Sequence, residues 1–213
     1  MEEEDIKKEV YSSHLQSAKS SILDPTLKNL NCFQFVAHVL QKDPSKWDAI
    51  FVLHEEIQKD LPAEHHYFMP IPYHYSLIAM GLENKTLVSS SLSAVPLGEV
   101  RSGDILIYIG LEYNPDVKMM KEPGKGTHVA FIKEVIMNID QSDISLSLID
   151  ASCRRKKRYT DPSNPEKSQL TDSNLGHSTA TITASKTHKD LWFYETPGLR
   201  KMLKKIFILR FMI

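Results

Sequence analysis

Ser102-Gly103-Asp104-Ile105-Leu106-Ile107-Tyr108-Ile109 is where the pattern of this chain changes from helices to strands. A Gly-Asp turn feeding an unbroken apolar run reads as the entry to a buried strand. Upstream, apolar residues recur at helical spacing. Residues 5–23 place Ile6, Val10, Ala18 and Ile22 on one face, and Asp24-Pro25 ends them. A second helix is predicted from Asn31 to about Gln41, with Phe35, Val36, Val39 and Leu40 as its stripe, before Asp43-Pro44 breaks the chain. A third, over 46–59, can be capped by Asp43 or Ser45 and buries Trp47, Ile50, Phe51, Leu53 and Ile57. Residues 61–100, with four prolines and a His/Tyr cluster, are too apolar to be disordered and read as an ordered excursion with one short helix near 74–80.

Downstream, 111–126 is a loop, strands are predicted at 128–136 and 144–149, and 154–176 reads as a mobile loop. Strands at 178–184 and 190–195 form an expected hairpin, and 206–212 a last, mostly buried strand capped by a charged turn at Lys204-Lys205. Helices first and a strand meander second predict an α+β fold, with N-terminal helices packed on a mainly antiparallel sheet. A length of 213 residues suits one domain over 1–213, in which 41–100 is an insertion walling one side of a cleft.

The formal net charge is -1, so no global field recruits nucleic acid or an anionic membrane. No apolar run approaches the ~18 residues that span a bilayer, so no stable membrane insertion is expected. The Met-Glu-Glu-Glu-Asp start lacks the apolar segment of a Sec signal, which predicts a cytoplasmic protein or export by another route, unless a signal was trimmed. Two cysteines, Cys32 and Cys153, are too few for a disulfide scaffold; reduced thiols are the simpler reading and a single bridge the other.

Asn31-Cys32-Phe33-Gln34-Phe35-Val36 places a thiol in the first turn of a helix with a natural N-cap before it. There the positive dipole end and free N–H groups favour the thiolate. An inert core cysteine is the bland alternative. A nucleophile also needs a base, and the base an orienting partner. His128 opens a strand after a Gly-containing loop, in Gly126-Thr127-His128-Val129-Ala130-Phe131-Ile132, and Asp150 ends the next, in Leu148-Ile149-Asp150-Ala151-Ser152. If those strands are antiparallel neighbours, the start of one lies beside the end of the other, and the carboxylate can hold the imidazole. The competing reading is a surface histidine and an unrelated strand-end aspartate.

These motifs, in this order, resemble the NlpC/P60 and CHAP group of papain-like cysteine hydrolases over roughly residues 28–155: Asn-Cys-Phe-Gln-Phe-Val at 31–36, Ser-Gly-Asp-Ile-Leu-Ile-Tyr at 102–108, His-Val-Ala-Phe-Ile at 128–132 and Leu-Ile-Asp-Ala-Ser at 148–152. The resemblance implies a papain-like fold and amide hydrolysis by Cys32, His128 and Asp150, with no cofactor or metal. It also implies a peptide or a peptidoglycan fragment as substrate, with Asn31, Tyr73, His74 and Tyr108 expected to contact it. Phe33 stands where the group commonly has a small residue, and Tyr11 is the weak candidate for its upstream tyrosine. A non-catalytic binding module, or a deamidating or transglutaminase-like enzyme, stays open, as does the oligomeric state. His65, His66 and His74 lack a further Cys or Asp at ligand spacing, so cleft lining is preferred to zinc. The basic tract Arg154-Arg155-Lys156-Lys157-Arg158 reads as a solvated loop near the cleft rim, and the alternating tail 201–213 as a core strand rather than a membrane contact.

Overall fold

The computed structural model of the protein describes residues 13–110, 127–137, 143–151, 175–185, 190–196 and 202–212. Four α-helices lie among them: α1 (13–22), α2 (Cys32–Leu40), α3 (Pro44–Gln58) and α4 (Pro72–Glu83). The strands are β1 (Leu92–Ala94), β2 (Ile105–Gly110), β3 (His128–Met137), β4 (Asp143–Ala151), β5 (Leu175–Ala184), β6 (Trp192–Glu195) and β7 (Met202–Phe211). All pairings are antiparallel, in the order β1-β7-β2-β3-β4-β5-β6, and β6 returns to pair with β7. Six strands, β2 to β7, therefore form a closed barrel. The expected papain-like α+β arrangement, helices laid on a sheet, is corrected by this closure.

The closing strand shows why. One edge of β7 pairs with β2 from Ile105↔Leu209 to Gly110↔Lys204. Its other edge is shared: Trp192 to Tyr194 of β6 take Lys204 to Met202, and β1 takes Phe211 to Leu209. Strand residues alternate between faces, so a closed ring separates them into an inside and an outside. Leu106, Ala130, Ile132, Leu146, Leu148 and Ile182 belong to the inner cluster. Val129, Phe131, Ile149 and Leu209 belong to the outer one, against Phe35, Val36 and Leu40 of α2 and Ile78 of α4. Each such side chain, fully withdrawn from water, contributes about 1.5–3 kcal/mol. Apolar residues on both faces of β2 and β3 fit a barrel wall covered by helices.

Gly103 turns the chain into β2 at φ 94°, a left-handed conformation that side chains rarely adopt. Asp104 follows with its carboxylate 3% exposed, accepting from the Arg101 N–H (2.7 Å) and from Arg210 Nε and Nη2 (2.9 and 2.8 Å). The Gly-Asp pair is thus a buried clamp between the start of β2 and the end of β7. On its other side, His14 of α1 bonds the Gly103 carbonyl at 2.7 Å and packs on Phe131 and Phe211.

The predicted helices fall near their expected places among the described residues, and residues 5–12 of the first lie outside them. In α3, Asp43 is the N-cap residue but caps nothing; its carboxylate goes to Ser45 Oγ (2.7 Å) and Lys46 Nζ (2.8 Å). Helix α4 is longer than the expected 74–80 because Pro72, with φ already fixed, starts it. Strand β1 has no counterpart in the prediction, and β5 starts at Leu175, inside the expected 154–176 loop. Lys204-Lys205 is no turn: both residues lie within β7, with Lys204 Nζ 5.2 Å from the Tyr108 ring centre. The expected loop 111–126, Tyr11, Cys153 and the basic tract 154–158 lie outside the described residues. No described helix is long and apolar enough to cross a membrane.

Replacing Asp104 by Asn would remove the carboxylate charge that faces the buried Arg210 guanidinium at 2.8 Å. We expect a loss of about 3–5 kcal/mol in urea unfolding at neutral pH; a change below ~1 kcal/mol would show that the clamp does not hold the strand entry.

Candidate active site

Helix α2 begins at Cys32, and Asn31 caps it reciprocally: Asn31 Oδ1 accepts from the Gln34 N–H (3.0 Å) and Gln34 Oε1 accepts from the Asn31 N–H (3.1 Å). The first N–H groups of a helix have no intrahelical acceptor. With that of Gln34 bonded to the cap, those of Cys32 and Phe33 remain at the site. Phe33 and the half-buried Cys32 both pack against the outer cluster.

His128 and Asp150 come from the inner face of the barrel wall, in the same alternation as Ala130 and Leu148. Register makes them neighbours: Phe131 faces Ile149 across β3 and β4, which brings the start of one strand to the end of the other. His128 Nε2 lies 2.6 Å from Asp150 Oδ2, with the carboxylate fully buried. Ser178, from β5, donates to Asp150 Oδ1 at 3.2 Å. The remaining imidazole nitrogen, Nδ1, is not taken by Asp150, and Cys32 lies near enough to His128 for the two to interact electrostatically. The Cys32, His128 and Asp150 predicted from the sequence are thus brought together.

Burial alone would raise the Cys32 thiol. The hydrogen bond to His128, its positive charge and a hydrogen bond from the Val129 N–H outweigh burial and hold the thiol below its ordinary value. Burial would likewise lower His128, but the hydrogen bonds to Asp150 and Cys32 raise it to about 9. Both shifts run the same way, toward thiolate on Cys32 and imidazolium on His128.

Of the four residues expected to contact substrate, Asn31 caps the nucleophile's helix. Tyr108 is buried with its ring 5.4 Å from that of His128, so it backs the imidazole rather than facing a cleft. His74 is fully buried, with Nδ1 3.0 Å from His54 Nε2 and Nε2 3.2 Å from the His65 carbonyl oxygen, and it joins α3 to α4. Half-buried Tyr73 packs near it, ring centres 6.1 Å apart. Burial lowers both His54 and His74 to about 4.

The sequence reading gave no role to Ser178 or Thr127, and took Tyr75 only as one of the His/Tyr cluster lining or flanking the cleft. The Thr127 hydroxyl, one residue before His128, and the Tyr75 hydroxyl are buried without hydrogen-bond partners among the described residues. No short motif marks them; only the packing of β5 and α4 does. No group of three or more His, Cys, Asp or Glu among the described residues is arranged to hold a metal. A cavity of about 330 Å³ beside Leu87, Val88 and Leu92 includes no triad residue in its lining. No protein-family model matches this chain, and no curated protein or solved structure matches it significantly.

Two outcomes test this electrostatic arrangement. Asp150→Asn should lower His128 basicity, and with it the rate of Cys32 alkylation by iodoacetamide at neutral pH, by at least about tenfold, the equivalent of one pKa unit. Ser178→Ala should have a smaller effect; an unchanged rate in Asp150→Asn would show that the carboxylate does not sustain the ion pair. The second concerns His54 and His74, neutral when folded. As pH falls below 6.5 the unfolded chain takes up protons first, so stability is full above 6.5 and drains away until about 4. Urea midpoints across that window should decline; a flat profile contradicts the neutral pair.

Proposed function

We propose that the protein is a cysteine hydrolase that cleaves an amide bond through Cys32, His128 and Asp150. The observation that carries the reading is the buried 2.6 Å His128–Asp150 hydrogen bond, with Cys32 at the start of α2 near enough for it and His128 to shift each other's titration. Such an arrangement supplies nucleophile, acid–base group and orienter in one line. In the proposed reaction, Cys32 Sγ forms a bond to the carbonyl carbon and the C=O electron pair moves to oxygen. The Cys32 and Phe33 N–H groups meet that charge. As the pair returns, the C–N bond breaks and His128 gives its proton to the leaving amine. His128 then takes a proton from water, whose oxygen attacks the thioester; the C–S bond breaks and the ion pair is restored.

The motif order resembling NlpC/P60 and CHAP hydrolases supports a peptide substrate, and many of that group cut cell-wall stem peptides. We therefore take peptide amides, with peptidoglycan fragments first, as the proposed substrate class. Incubating wild type and Cys32→Ala with such fragments and with a peptide library, and weighing the products, tests this. Cleavage by wild type alone is the expected result. If iodoacetamide also leaves Cys32 unmodified at neutral pH in the folded protein, the activated-thiolate reading fails.

A further inference from the structure

The cavity of about 330 Å³ beside Leu92 runs along one edge of β1. Successive strand residues point to opposite faces, so a space lined by Leu92, Ser93 and Ala94 together lies beside the strand rather than over one face. The Val95 N–H donates to the Ile208 carbonyl and the Met212 N–H to that of Ser91, which makes 91, 93 and 95 the residues bonded to β7. The N–H and C=O groups of Leu92 and Ala94 therefore point away from β7, toward an edge that no other described strand covers. Ser89 Oγ takes the Leu92 N–H at 3.1 Å, and the next residue of this parity, Pro96, has no N–H. What stays open is short: the Ala94 N–H and the carbonyls of Leu92 and Ala94.

The facing wall is preformed. The Thr86 and Leu87 N–H groups both reach the Gly81 carbonyl, and a Cβ on Gly81 would lie 2.6 Å from the Leu87 side chain. The turn after α4 is thus fixed close against the helix. Lys85 stands in it at φ 60°, a left-handed position where glycine is usual. Leu82, Leu87 and Val88 make this wall apolar, and Val88 is 87% exposed. Lys85 is the one charged residue of the lining, and it forms no ion pair with a described residue.

We propose that this edge docks the C-terminal end of an extended peptide. The peptide backbone pairs with the open groups of Ala94 and Leu92, as in strand addition to a sheet edge. Its last side chain, an apolar one, fills the cavity, and its terminal carboxylate meets the Lys85 ammonium. A ladder stopped at one end by Ser89 and at the other by Pro96 has room for a chain end and none for a strand that continues. No triad residue lines the cavity, and the proposal does not rest on the hydrolase reading.

Fluorescence anisotropy tests this with the peptide Thr-Ser-Thr-Ser-Val-Leu, labelled with fluorescein at its N-terminus and made both as free acid and as C-terminal amide. The acid should bind saturably, to wild type and Cys32→Ala alike. The amide should bind about three- to fivefold more weakly, what one exposed ion pair supplies. Lys85→Gln should bring the acid down to the level of the amide and leave the amide unchanged. Ala94→Pro, without the edge N–H, should lose both; should that variant not fold, the Lys85→Gln comparison decides alone. Absence of saturable binding by the acid up to ~1 mM overturns the proposal. So does equal affinity for acid and amide, which would mean that no chain end is read, or an unchanged acid affinity in Lys85→Gln. Binding lost in Cys32→Ala would place the peptide at the triad instead, and self-association of the free protein that Ala94→Pro abolishes would make a second copy the occupant; each overturns the proposal.

Discussion

The return of β6 to β7 is the pairing on which the rest of the molecule depends. It spans only Trp192–Lys204 to Tyr194–Met202, yet it gives the sheet an inside. Because the barrel is closed, the inward residues at the ends of β3 and β4 lie in a space largely without water, and there a carboxylate and an imidazole hold each other strongly. In an open sheet the same two residues would face solvent, and their attraction would be screened.

Cys32 reaches this pair from the helix layer outside the barrel, so the site is assembled from two layers. Helix α2 is fixed by its reciprocal cap and by Phe35, Val36 and Leu40 against the outer wall. His128 is fixed from within by Tyr108, Asp150 and, through Asp150, Ser178. Burial disfavours charge on both Cys32 and His128, and each makes the other's charge tolerable. The shift toward thiolate and imidazolium is therefore a joint property of helix and barrel, sensitive to a movement of either.

Much of this was legible in the sequence because it is local. The cap at Asn31, the helical stripe behind Cys32 and the strand grammar after Gly103 depend on near neighbours. Even the His128–Asp150 pairing follows from placing one residue at the start of a strand and the other at the end of its antiparallel neighbour. Closure was not legible, since a meander that rolls into a barrel and one that stays open alternate in the same way. The tight His54–His74 bond and the placement of Tyr75 arise where α3, α4 and the outer wall meet, and no periodicity encodes such a junction. Lys204-Lys205 misled for a related reason: adjacent lysines suggest solvent, while a barrel wall can place an ammonium over an inward tyrosine ring.

Strand β7 touches β1, β2 and β6, so two barrel strands and the outlying β1 wait for it. During synthesis, the thiol and the imidazole are made long before Met202–Phe211 leaves the ribosome. Until that strand docks, β2 and β6 have no common neighbour and the His128–Asp150 pair lacks its enclosure. The order of translation thus makes the enclosure of the His128–Asp150 pair wait for Met202–Phe211, so that a chain ending before Met202 carries both residues without the closed wall around them.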